Sequence, residues 1–152
     1  MNRARPWLLA GAVALLVLLA DQLSKLAVEE SITPGETRSF FPGVQLVYTH
    51  NRGVAFGLFP NAPALVIALI AAALVVLLVY FQRHITMPLI WLPTGLLIGG
   101  ALGNIVDRVR QGSVTDFIKL PLGWPPFNLA DSAITIGVIA LFLVIEHART
   151  HS

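Results

Sequence analysis

The chain has 152 residues, of which 56% are hydrophobic and only 12% charged, with 10 Lys or Arg against 8 Asp or Glu. Soluble domains carry about 25% charged residues, so a disordered or nucleic-acid-binding chain is excluded and a soluble globular fold is disfavoured. Cysteine is absent, which removes disulfides, thiolate nucleophiles, Cys-ligated metals and any acylated Cys anchor.

In chain order, the first apolar run is Trp7–Ala20, preceded by Arg3 and Arg5. It has the look of a secretion signal. It continues without an A-x-A site into Asp21-Gln22-Leu23-Ser24-Lys25, and so reads as an uncleaved first span. Further runs cover Ala62–Phe81, Pro88–Val106 and Leu129–Ile145. A spanning helix needs about 20 apolar residues. The second and third runs reach that length outright, the first and fourth only by taking in polar residues at one end. The expectation is a mainly α, polytopic membrane protein of one domain, 1–152, with spans over about 7–28, 62–81, 88–107 and 129–146.

The connection over about 30–61 holds two β-prone stretches, Val44–Thr49 and Val54–Phe59, around His50-Asn51-Arg52-Gly53. They predict a hairpin or small sheet, with Val114–Leu120 as a third strand. Its many apolar side chains (Phe40, Phe41, Phe56 and Phe59 among them) predict a seat on the membrane surface or over a lipid-facing groove.

Arg3 and Arg5 before the first span put the amino terminus in the cytoplasm, and four spans return the carboxyl terminus to the same side. Seven of the eight acids (Asp21, Glu29, Glu30, Glu36, Asp107, Asp116, Asp131) then share the opposite face, with Glu146 alone across the membrane. At about 1.5 Å per residue, Asp21, Asn104 and Asp131 all come out in one layer some 6–9 Å below that surface.

Three constellations bear chemistry. Asp21 and Lys25, at i and i+4, share a helix face and can pair, which points to structural support. Small residues at 99, 100, 101 and 103 permit close helix packing. Asn104 and Arg108, again i and i+4, are costly polar groups inside a span and rarely idle. Asp116 and Asp131 flank the turn-rich linker Pro121-Leu122-Gly123-Trp124-Pro125-Pro126, so two carboxylates 15 apart can meet. Such a pair shares one proton, as an aspartic protease requires. By spacing alone, a helix-capping Asp131 and a solvated-turn Asp116 explain the same residues slightly better. The four His are scattered over both faces, so no metal centre is expected, and Ser24 beside Lys25 points away from it on a helix. A proton-coupled carrier and a structural scaffold remain as rival classes. A carrier site near the midplane between repeats suits a one-sided acid cluster poorly.

Taken together, four blocks resemble the bacterial lipoprotein signal peptidases (signal peptidase II). They are Asp21-Gln22-Leu23-Ser24-Lys25; Thr49-His50-Asn51-Arg52-Gly53-Val54-Ala55-Phe56-Gly57; Gly103-Asn104, Asp107-Arg108, Gly112 and Val114-Thr115-Asp116-Phe117; and Phe127-Asn128-Leu129-Ala130-Asp131. The resemblance implies a membrane aspartyl endopeptidase that removes the signal peptide from diacylglyceryl-modified prolipoproteins, on the amino side of the lipidated Cys. It places the catalytic pair on Asp116 and Asp131. Substrate-binding or site-shaping roles fall on Asn51, Gly53, Asn104, Arg108, Asn128 and Ala130, and support on Asp21 and Lys25. It further implies four transmembrane helices with a small extracytoplasmic β-sheet, the cradle, and a monomer in the bacterial inner membrane with both termini cytoplasmic and the site near the outer face. No cofactor, metal or nucleic acid is implied; membrane lipid is a partner, and globomycin and myxovirescin are implied inhibitors.

Overall fold

The computed structural model describes residues 4–53, 62–121 and 123–150. Helix α1 spans Ala4–Ser31, followed by strands β1 (Thr37–Phe41) and β2 (Val44–Asn51), helices α2 (Pro63–Arg83) and α3 (Trp91–Gln111), strand β3 (Val114–Lys119) and helix α4 (Leu129–Thr150). Among the described residues, three helices are long and apolar enough to cross a membrane: Ala4–Ser31, Ala64–Arg83 and Leu129–Thr150. Their exposed Leu, Val, Ile and Phe side chains, such as Leu16, Val76 and Phe142, suit a lipid surround.

The third expected span is a helix, but a different kind of one. It starts at Trp91 rather than Pro88 and runs on to Gln111, with polar Asn104, Asp107 and Arg108 among its buried residues. Thr94 and four glycines dilute its apolar character, because α3 is the central helix, packed on α1, α4 and α2. A helix shielded by protein on most sides does not need the lipid-facing side chains that make a span easy to read.

The glycines set the approach of the neighbours. A methyl group built on Gly99 would stand 2.6 Å from the Ala14 carbonyl oxygen of α1, and one on Gly100 2.6 Å from the Ala130 carbonyl oxygen of α4. Both obstacles are backbone, so Gly100→Ala must push α4 away. We expect a loss of about 1–3 kcal/mol, read as a lower thermal unfolding midpoint in detergent. An unchanged midpoint would show that the two helices part freely.

The strands form one antiparallel sheet in the order β1-β2-β3. Thr49 pairs with Asp116 across β2 and β3, and Thr37 with Val47 across β1 and β2. The expected strand at Val114–Leu120 is present, as is the stretch over Val44–Thr49. The expected partner of the latter, Val54–Phe59, lies outside the described residues. Strand β1 was not anticipated: all five of its residues are exposed, so it has no buried face to generate an alternating pattern. The sheet packs through Phe117 on Val28 and Ile32 at the end of α1. A second cluster around Phe81, Ile85 and Ile90 closes the other end of the bundle. Helix α3 ends at Gly112, whose positive φ of 72° places its N–H on the Arg108 carbonyl and turns the chain into β3.

Candidate active site

Asp116 lies in β3, whose side chains alternate between two faces. It is not in a solvated turn: it is 3% exposed, and it lines a groove of about 560 Å³. Burial pushes its carboxyl up to about 7, and the neighbouring Asp131 carboxyl adds to the shift. Side-chain amides from Asn51 and Asn128 pull the other way.

The return of the chain to Asp131 is secured by a bridge between Ile118 and Phe127. The Phe127 carbonyl accepts from the amides of Phe117 (2.9 Å) and Ile118 (2.8 Å), and the Phe127 amide donates back to Ile118 (3.0 Å). The linker is thereby closed into a loop, and Asn128 is delivered beside Asp116. Asn128 then starts α4 with a reciprocal cap: the Asp131 amide donates to Asn128 Oδ1 at 2.9 Å, and the Asn128 amide to Asp131 Oδ2 at 3.3 Å. Asp131 does cap its helix, as one sequence reading held. Its other oxygen, Oδ1, accepts from Asn104 Nδ2 at 2.8 Å, and the side chain lines the same groove as Asp116. The cap and the site are one arrangement.

Asn128, fully buried, joins the two acids. Its Nδ2 donates to Asp116 Oδ1 at 2.8 Å, and more weakly to Asn104 Oδ1 and the Thr115 carbonyl, both at 3.3 Å. Below lies an ionic layer. Lys25 Nζ is 2.7 Å from both Asp21 Oδ2 and Asp107 Oδ2, and 3.4 Å from Asn104 Oδ1. Asp21 Oδ1 accepts the Ala130 amide at 2.9 Å, which ties the first turn of α4 to α1. Three helices and β3 therefore meet through hydrogen-bonded polar groups, which burial makes expensive to leave unpaired.

At the sheet end, Arg108 Nη2 donates to the Gly53 carbonyl at 2.7 Å and Nη1 to the Asn104 carbonyl at 3.1 Å. Its Nε is buried with no hydrogen-bond partner among the described residues. Gly53 is held in turn by its amide donating to Asn51 Oδ1 at 2.9 Å. The structure thus brings Asn51, Asn104, Arg108, Asp116 and Asp131 to one groove, with Gly53 and Asn128 bracing them and Ala130, Asp21 and Lys25 beneath.

Sequence reasoning missed Gln22, Asp107 and Thr115 as parts of this framework. Gln22 Nε2 donates to Asp107 Oδ1 at 2.9 Å, and Asp107 Oδ2 accepts the Thr115 amide at 3.2 Å. The Thr115 hydroxyl donates to Glu29 at 2.7 Å and accepts from Gln111 at 3.0 Å. An available signal was that Asp107 lies one residue from Arg108, a site candidate, in the same span. Among the described residues no group of three or more His, Cys, Asp or Glu is placed to hold a metal ion.

Comparison with known proteins identifies the family. The family model described as signal peptidase (SPase) II matches residues 13–146. A lipoprotein signal peptidase of Syntrophomonas wolfei is 46% identical over 132 residues, covering 86% of this chain and 88% of that protein. One from Halothermothrix orenii is 41% identical over 134 residues, covering 88% and 92%. Among solved structures, two bacterial membrane enzymes superpose with TM-scores of 0.82 and 0.77 at 28% and 30% identity; they cover 94% and 90% of this chain, and 90% and 91% of their own. With the family model spanning nearly the whole chain, and the polar framework built from the residues that carried the resemblance, the chain belongs to the signal peptidase II family.

Proposed function

We propose that the protein is an aspartyl endopeptidase that removes the signal peptide from diacylglyceryl-modified prolipoproteins, cutting on the amino side of the lipidated Cys. The observation that carries this is the junction at Asn128, which hydrogen-bonds both Asp116 and Asp131 where the two carboxyls line one groove. In the reaction, Asp131 draws a proton from water as its oxygen attacks the scissile carbonyl carbon. Asp116, holding the shared proton, protonates the carbonyl oxygen. On collapse Asp116 takes back the proton of the adduct's hydroxyl, Asp131 gives the proton it drew from water to the nitrogen, and the C–N bond breaks, which returns both carboxyls to their starting states. Arg108 and Asn51, which line the groove, offer N–H donors to peptide carbonyls there.

The wider setting fits that task. Helix α3, at 21 residues, is about 31 Å long at 1.5 Å per residue, enough for a fourth span of a bilayer core about 30 Å thick. The reading is a four-span monomer in the bacterial inner membrane, both termini cytoplasmic, with the sheet as an extracytoplasmic cradle and the dyad near the outer face. The substrate's own lipid and signal helix would bring the scissile bond to that depth.

The direct test is incubation of the purified protein with a diacylglyceryl-modified prolipoprotein. Release of the signal peptide, stopped by globomycin or myxovirescin and absent with unlipidated substrate, is expected; no release would overturn the reading. The acid on Asp116 also sets a pH dependence. Its carboxyl, raised to about 7, carries the proton below that pH and loses it above. Cleavage is therefore expected to fall as pH rises through about 7, by about tenfold per unit well beyond it. A rate that stays flat to pH 9 would remove Asp116 as the proton donor.

A further inference from the structure

The groove has two chemistries. Its polar end holds the two acids with Asn51, Asn104 and Arg108; the rest is apolar, walled by the linker between β3 and α4 on one side and by α4 itself at Ile134 and Ile136 on the other. Ile136 is exposed, so the groove opens sideways toward lipid along α4.

Trp124 stands in the linker wall. It is 56% exposed although it lines the groove. The backbone before it turns at Gly123, with φ 75°. After it, Pro125 and Pro126 stiffen the chain, and the Ile118–Phe127 bridge anchors the loop at its base. The other two tryptophans are packed at the opposite end of the bundle. Trp7 meets Phe81 edge-on at 4.7 Å, and Trp91 packs on the cluster of Phe81, Ile85 and Ile90. Among the described residues Trp124 has no such ring partner and no hydrogen bond to its indole N–H. A large amphipathic ring on a short, anchored loop, left uncovered at the edge of an apolar groove, is the kind of side chain that ligand burial rewards.

The geometry points to Trp124 as a specificity-determining residue for the lipid-modified Cys, a role that rests on the dyad reading above. With the scissile bond at Asp116 and Asp131, the residue that follows it must place its side chain in the adjoining part of the groove. A thioether-linked glyceryl diester there meets the indole face with its glyceryl carbons and first methylenes, and its ester carbonyl faces the indole N–H. The acyl chains leave along Ile136 into lipid. An unmodified side chain covers none of this surface, so the same contact selects for the lipidated residue.

Two measurements test this. In Trp124→Ala, KM for a diacylglyceryl-modified prolipoprotein peptide is expected to rise about 10–30-fold with kcat nearly unchanged, and Trp124→Phe is expected to restore most of the loss. An unaltered KM, or a loss confined to kcat, overturns the assignment. The second measurement uses full-length protein carrying Trp7→Phe and Trp91→Phe, with Asp131→Asn to keep substrate intact and Trp124 as sole reporter. Adding a Trp-free lipidated peptide is expected to shift its emission to the blue; the same peptide without the diacylglyceryl group is expected to leave it unmoved. Emission already blue in vesicles and indifferent to either peptide would make Trp124 a bilayer anchor and end the proposal. Cleavage by the Asp131→Asn protein would instead sink the dyad reading, and so separates the two failures.

Discussion

Asp116→Asn and Asp131→Asn are each expected to lower cleavage of a lipidated substrate by about 10³-fold or more, with the protein still inserted and folded. A positioned acid or base contributes about 10²–10⁴-fold. Here each change removes one of two groups that act on the same water and carbonyl, so the double variant should be hardly worse than either single one. The fold should survive both. Asn at 116 can keep an oxygen for the Asn128 amide, 2.8 Å away. Asn at 131 keeps one oxygen, enough for the shorter bond from Asn104 at 2.8 Å, and gives up the longer one from the Asn128 amide at 3.3 Å. The check is single-turnover cleavage of a diacylglyceryl-modified prolipoprotein, alongside thermal midpoints in detergent. Near-normal turnover by either variant would end the dyad assignment. A collapsed midpoint would mean that the carboxyl serves the cap and not the chemistry.

Lys25→Met should be the most damaging single change to the fold. Its ammonium lies 2.7 Å from both Asp21 and Asp107, and all three side chains are at most 5% exposed. Removing the cation strands two buried acids, and breaking such a pair costs about 3–5 kcal/mol, a large share of the stability of a small domain. The damage would reach the site. Asp21 holds the Ala130 amide, one residue from Asp131, and Asp107 holds the Thr115 amide, one residue from Asp116. We expect a steep fall in folded yield and a lower unfolding midpoint. Arg38→Ala is the contrast: its pair with Glu36 lies in solvent, with side chains 51% and 36% exposed, and exposed pairs stabilise little. A Lys25→Met protein as stable as Arg38→Ala would show that the ionic layer is dispensable.

Local pattern carried a good part of this molecule. The pairing of Asp21 with Lys25 follows from i, i+4 spacing on one helix, and the strand at Val114–Lys119 from its β-prone run. Other features had no local signal. Strand β1 buries nothing, so its five residues look like a loop. Asp107 becomes Lys25's second partner because glycines on α3 let α1 approach, a contact between residues 82 positions apart (25 and 107). The polar Thr115 reads as an ordinary strand residue until Glu29 and Gln111 are seen against it.

The sequence by itself marked the membrane setting and the helical class, since hydropathy and helical period are properties of neighbouring residues. It also held four blocks whose order pointed to the family. It left the choice between a capping Asp131 and a catalytic one open; in the tertiary structure Asp131 caps its helix and also lines the groove with Asp116. The Ile118–Phe127 bridge and the close α3–α4 packing at Gly100 place a helix cap against a buried strand carboxyl. Those contacts join distant parts of the chain, and no local pattern encodes the distance between two carboxyls.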